Sequence, residues 1–328
     1  MQNRISNFEN SGLGNFVRLA GAALLLAGFA AGPCLAQQQG QKTFASPAEA
    51  SKALYTAAQG NDEKALLELL GPEGKEIVSS GDEAADAQMR ATFVKRYEEM
   101  NRLVKEPDGT VCLYIGPHNW PYPIPLVNKG GAWYFDTVAG KREILFRRIG
   151  RNEISAIHIC KELVEAEKEY YAQHNNEYAP RIFSDEGKSN GLYWKSGEGE
   201  AKSPIGPLVA NAVSDEDSAR SGAAMPYRGY YFHALKGQGK NAAGGAKSYI
   251  VDGKATGGFA FVAFPAEYRS SGVKTFLVSA DGVIYEKDLG EKTESAAKAM
   301  KEFNPGAGWM KTEVEVQATA ADPTAKKQ

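Results

Sequence analysis

The sequence predicts an α+β fold in two parts. Three observations lead there. The apolar residues from 46 to 101 repeat with a helical period, and those from 102 to 137 repeat with a strand period. A single helical unit then runs from about 140 to 177. After Pro226 the pattern returns to short strands separated by glycine-rich turns. With 328 residues, the chain has the length of two ordinary domains.

The elements follow in order. Ser46, Pro47 and Glu49 form a helix start: an N-cap, a proline at the first position and a capping glutamate. Ala50, Leu54, Ala57 and Ala58 give that helix one apolar stripe, and Gly60-Asn61 ends it. Asp62 caps a second helix carrying Leu66, Leu67, Leu69 and Leu70, which Gly71-Pro72 stops. A third helix is expected over Ala87 to Asn101. "RLVKEPDGTVCLYIG" then reads as strand, Pro-Asp-Gly turn and strand. "PIPLVNKGGAWYFDT" reads as a second hairpin turning at Asn128 to Gly131. Its lead-in alternates prolines at 121, 123 and 125. Proline cannot donate to a sheet ladder, so this strand begins at an edge or in irregular chain. Trp133 is expected in the core.

The next unit is helical by pattern, with Gly150 as a kink or junction. On a helical wheel Ile157, Cys160, Val164 and Tyr171 form one stripe, and Ile159, Leu163, Ala166 and Tyr170 form a second. The helix is apolar over half its girth, so it is expected to lie between a sheet and something else. Loop-rich sequence follows to Pro226, with short order at Leu192-Tyr193-Trp194. Strands are then read in "YRGYYFHALKG", "GFAFVAFPAEYRSSG", "VKTFLVSADG" and "VIYEKDLG", with a glycine-rich excursion at 239–258 and a last helix from Ser295 to Phe303.

The N-terminus reads as an export signal. Arg4 and Arg18 precede an apolar run from Leu19 to Gly32, too short to span a membrane comfortably, and small residues at Cys34 and Ala36 suit cleavage before Gln37. Two alternatives stay open at this point: a lipid anchor at Cys34, against which Pro33 stands, and an uncleaved membrane anchor. Removing residues 1–36 takes away Arg4, Arg18 and Glu9 and moves the net charge from −2 to −3. No basic stripe is present, so nucleic acid is not expected as a partner. After cleavage no stable membrane span is expected. The resulting map is a signal peptide (1–36), a polar leader (37–43), an α+β domain (44–139), a second α+β domain (140–312) and a solvated tail (313–328).

Candidate chemistry is sparse. HExxH and CxxC motifs are absent from the sequence, and "GKNAAGGAK" lacks the ending of a phosphate-binding loop. No metal site or cofactor is expected. His158 and Cys160 point about 200° apart on a helix and so do not form a metal pair; His158 is placed on the solvated arc. Glu167 falls between the two apolar stripes with His174 two turns on. It reaches solvent at the rim, or is buried against a partner such as Arg228, or acts as an acid/base group. Arg147, Arg148 and Arg151, with Lys141 and Arg142, either meet an anionic ligand or acidic partner, or form a solvated helix face or a set of interdomain ion pairs; Glu143 and Glu153, at pairing distance along the helix, favour the second. His118 and Trp120, with Asp136 across the hairpin, are candidates for the mouth of a pocket. Cys112 and Cys160 either pair in an oxidising compartment or remain buried thiols.

Three resemblances add to these readings. "YTAAQGNDEKALLELLGPEG" and "VNKGGAWYFD" resemble the cystatin-like fold of the nuclear-transport-factor-2-like superfamily, which implies a concave pocket in the first part. The long helix with "YRGYYF" and "FAFVAFPAEYRSSGVKTFLVSADGVIYE" resembles the globular part of type IV pilins and type II secretion pseudopilins. The segment "EILFRRIGRNE" departs from the apolar N-terminal helix of that family. Over residues 44–312, "WPYPIPLVNKGGAWYFDTVAGKREILFRRIGRNE" and "PYRGYYFHALKGQG" look like bacterial exported proteins of domain-of-unknown-function family 2950. That resemblance implies a periplasmic or secreted protein and brings no activity. The expected function is therefore an exported, non-catalytic binding or interaction protein with an envelope or secretion partner or a small ligand. The alternatives are a pseudopilin-like secretion component and a hydrolase-type enzyme using the pocket of the first part.

Overall fold

The first helix, α1 (Pro47–Gln59), starts where the sequence places it. The Ser46 hydroxyl accepts from the Glu49 amide at 3.2 Å, and proline occupies the first turn. Asp62 caps α2 (Glu63–Leu70) by accepting from the Ala65 amide at 2.9 Å. After the short α3 (Lys75–Val78), α4 spans Glu83–Glu99. It begins four residues earlier than expected, because Asp82 accepts from the Ala85 amide and so caps it. In a computed structural model of the protein, residues 40–197, 202–214 and 225–313 are described. The expected signal peptide (1–36), residues 198–201 and 215–224, and all but the first residue of the expected tail lie outside them. The compact units divide at Phe146/Arg147, and each is described on its own.

In the first unit the helices precede an antiparallel sheet of β1 (Asn101–Lys105), β2 (Val111–Ile115), β3 (Trp120–Pro121), β4 (Leu126–Lys129) and β5 (Ala132–Phe135). The order is β1-β2-β4-β5, with β3 paired to the end of β2. Pro121 sits in that two-residue strand, and Pro123 and Pro125 lie outside any strand. Gly130 and Gly131 turn the β4–β5 hairpin at φ of 61° and 89°, a left-handed pair that suits the twist of the strands. Leu54, Leu69, Leu70, Leu113, Ile115, Ile124, Leu126 and Phe135 form the core, and Trp133 packs at its margin. The expected polar leader is in part built in. Phe44 and Trp133 exchange backbone hydrogen bonds of 2.8 Å, and the buried Gln41 amide donates to the Leu69 and Phe135 carbonyls.

Helix α5 (Thr137–Gln173) is 37 residues long and passes through Gly150, the expected junction, which has open space around it. Its first ten residues belong to the first unit and the remainder to the second.

The second unit continues with α6 (Pro207–Ala212) and β6 (Val213–Ser214), then β7 (Tyr230–Leu235), β8 (Gly237–Gln238), β9 (Lys247–Ser248), β10 (Ala260–Pro265), β11 (Lys274–Ser279) and β12 (Ile284–Asp288). Helix α7 (Thr293–Lys298), β13 (Glu302–Phe303) and β14 (Met310–Lys311) complete it. The last helix stops five residues short of the expected Phe303. That residue is buried and enters β13, which runs parallel to β8. One sheet has the order β14-β12-β11-β10-β7-β6 and a small second one β13-β8-β9. Every residue of β10 is buried, as a strand covered on both faces requires. One core cluster joins Ile157, Cys160, Leu163, Val164 and Tyr170 of α5 to Phe232, Phe261 and Phe276 of the sheet. It also takes in Ile182, Leu192, Ile205 and Val209 of the loop-rich segment. Leu235, Val262, Phe264, Leu277 and Phe303 form a further cluster. The chain is thus α+β, with seven α-helices, one of them long, and three sheets among the described residues.

Candidate functional site

No hydrogen bond among the described residues joins His118 to Asp136. His118 is exposed in the turn after β2. Asp136 caps α5: its carboxylate accepts from the Ala139 amide at 2.9 Å and its carbonyl from the Gly140 amide. Trp120 is half-buried, edge-on to Tyr122 at 6.5 Å, with the Arg96 guanidinium 5.9 Å from its ring. An open groove of about 440 Å³ lies elsewhere in this unit, between α1 and α4. Gln59, Asn61, Arg90, Lys95 and Glu98 line it; His118, Trp120 and Asp136 do not.

Glu167 is buried, with 3% of its surface exposed, which corrects the expectation that it reaches solvent at the rim. Nor does it pair with Arg228, whose guanidinium lies over the Tyr227 ring. One carboxyl oxygen accepts from the Ala179 amide at 2.9 Å, holding the chain that reverses after α5. Burial pushes its pKa up to about 8, opposed only in part by that hydrogen bond. At neutral pH the carboxyl therefore keeps its proton. His174 stacks on the Tyr170 ring at 3.7 Å and its Nδ1 lies 2.9 Å from the Tyr170 carbonyl. No hydrogen bond among the described residues joins it to Glu167. His158 is partly buried, not fully solvated as expected, and desolvation lowers its pKa.

Sequence reasoning missed the role of Glu153. It was expected to pair locally with the arginines. Its carboxylate instead accepts from the Val273 and Lys274 amides at 2.9 and 3.0 Å. Burial raises its pKa against those two bonds. One residue earlier, Asn152 donates to the Ser271 carbonyl at 2.8 Å. A turn further back, Arg148 donates to the carbonyl and hydroxyl of Ser270 at 3.3 and 3.4 Å. Three residues on one side of α5 thus hold the 266–274 loop. No local sequence signal marks them, because every partner is about 120 residues away.

The arginines are left with a different balance. Partial burial and the like charges of Arg147 and Arg148 lower the pKa of Arg151. Arg151 is exposed and makes no ion pair among the described residues. Cys112 and Cys160 are both thiols. Cys112 lies on β2, its sulfur 3.7 Å from the Tyr122 carbonyl, and Cys160 is fully buried in the second unit, its pKa pushed up to about 12. Among the described residues no group of acidic, histidine and cysteine side chains could hold a metal ion.

No curated protein and no solved structure matches the chain. The family model described as "Protein of unknown function (DUF2950)" matches residues 41–312, beginning at the buried Gln41 and ending beside β14. On that match, which covers most of its length, the chain belongs to the DUF2950 family.

Proposed function

We propose that the protein is an exported, non-catalytic binding protein, made of a cystatin-like first unit and a pilin-like second unit. One observation carries this reading. The carboxylates best suited to chemistry hold backbone instead: Asp136 caps α5, Glu153 takes two loop amides and Glu167 takes one. A general base has to reach the proton it removes, and groups already used in this way are poor candidates. Exposed arginines on α5 remain as the chemically distinctive surface. An envelope or secretion protein or a small anionic ligand would suit it. A substrate and cofactor screen of the purified protein tests this. Turnover that disappears in His118→Ala, a substitution at an exposed turn, would establish the enzyme reading instead.

Export rests on Arg4, Arg18 and the apolar run from Leu19 to Gly32. Expressed from its full reading frame in a bacterial host, the mature protein is expected in the periplasm or medium with Gln37 as its first residue. Intact mass measures this, and retention of residues 1–36 in the extracted protein would refute cleavage.

A pseudopilin-like role draws on the packing of α5 with the antiparallel sheet of the second unit. It predicts self-assembly or recovery of secretion components with the tagged protein. Light scattering that shows a monomer, together with a pull-down empty of such components, excludes it.

A further inference from the structure

We propose that the surface of the second unit around Asn152, bounded by Arg148, Arg151 and Arg228, binds a phosphate-type oxyanion. The claim rests on the binding reading above and names its ligand. Two loops meet one turn of α5. Asn152 donates to the Ser271 carbonyl and Arg148 reaches Ser270, which fixes the 266–272 loop. Gly229 lies against the same place: a Cβ there would come within 2.6 Å of the Asn152 amide nitrogen and 3.0 Å of the Ser271 Cβ. Arg228, one residue earlier, is thereby carried to the turn that bears Arg148 and Arg151.

Backbone conformation adds a second observation. Arg228 has φ of 52° and Arg269, beside Ser270, has φ of 63°. Left-handed backbone at a residue other than glycine costs on the order of 1 kcal/mol, and glycine would adopt it freely. Arg228 makes no hydrogen bond or ion pair among the described residues; its one contact of note is the Tyr227 ring, 5.7 Å from the guanidinium carbon. Arg228 and Gly229 form the two-residue turn between Tyr227 and Tyr230, whose backbones exchange hydrogen bonds of 2.9 and 3.1 Å, so the turn sets this conformation and holds the exposed Arg228 at the surface.

The charge balance supplies the third. Nearby carboxylates do not neutralise the cluster. Glu153 is turned to the Val273 and Lys274 amides, and Arg151 has no acidic partner among the described residues. Glu267, exposed in the loop, makes no ion pair there. Guanidinium forks match oxyanions two bonds at a time. A carboxylate offers two oxygens and satisfies one fork. A phosphoryl group offers three oxygens and nearly two charges, so it can engage several forks together. The Ser270 hydroxyl, beside Arg148, offers a neutral donor.

The test is titration calorimetry of the mature protein with inorganic phosphate, against chloride at equal ionic strength. Saturable binding is expected for phosphate. In Arg151→Ala and in Arg228→Gly the affinity should fall about tenfold or more. Arg228→Gly also removes the left-handed strain, so its melting temperature without phosphate should hold or rise. That separates loss of a ligand contact from loss of structure. Glycerol 3-phosphate and phosphatidylglycerol vesicles form the remaining arms. Tighter binding to the soluble ester assigns the site to small phosphorylated molecules, and tighter binding to vesicles assigns it to lipid headgroups. No phosphate binding in the wild type, or affinity unchanged in both variants, overturns the proposal. Turnover dependent on His118 would overturn the non-catalytic reading and leave the phosphate result standing.

Discussion

Replacing Glu167 with glutamine is expected to flatten the fall in stability between about pH 4.5 and 8. In the folded protein this carboxyl keeps its proton up to about pH 8, whereas the unfolded chain releases it near 4.5. Across that window the folded state binds more protons, so stability falls as pH rises. The contribution is complete below about 4.5 and gone above 8. Each unit of the shift corresponds to about 1.4 kcal/mol, so the full effect is of the order of 5 kcal/mol. Glutamine keeps a carbonyl oxygen for the Ala179 amide and cannot ionise. Urea unfolding of both proteins at pH 5, 6, 7 and 8 measures the difference. The variant should gain on the wild type steadily with pH; a constant difference between the two would show that Glu167 is not desolvated in this way.

Gly272→Ala is expected to cost about 3 kcal/mol or more. An added Cβ would lie 2.2 Å from the Tyr230 hydroxyl and 2.6 Å from the ring carbon bearing it. The ring cannot step aside easily. Tyr230 is fully buried and its hydroxyl donates to the Lys274 carbonyl at 2.9 Å. Gly150→Ala is the control. Gly150 lies inside α5 with nothing near its missing Cβ, so alanine there should stabilise by about 0.5–1 kcal/mol. Thermal melts of the two variants should move in opposite directions. Equal shifts would mean that the 266–274 loop yields to the extra methyl group.

Local signals carried much of the fold. Ser46-Pro47-Glu49, Asp62, Pro107-Asp108-Gly109 and Gly130-Gly131 act within four residues, and each sits where the sequence places it. The two stripes of α5 were legible because a helix packed on two sides must be apolar on two sides. What was not legible depends on distant partners. Phe44 joins Trp133 across 89 positions through backbone atoms, which leave no trace in side-chain pattern. Position 153 shows only a glutamate among arginines, and the local ion pair is the natural reading. Its true partners are amides of a loop that only the folded sheet brings near. The same applies to Glu167: the wheel located it in the apolar arc, but nothing local indicates that the Ala179 amide waits there.

Helix α5 has a practical consequence for anyone dissecting this protein. Its 37 residues include the division between the two units at Phe146/Arg147. Domain borders usually fall in exposed linkers, where proteases nick and gene fragments can be separated. Here any cut at the border severs a run of backbone hydrogen bonds. A fragment ending at 146 keeps the Asp136 cap on a helix of ten residues, too short to hold its shape unaided. A fragment beginning at 147 exposes raw amides next to Arg147 and Arg148, in place of the capped turn. Neither half is then a faithful stand-in for the whole.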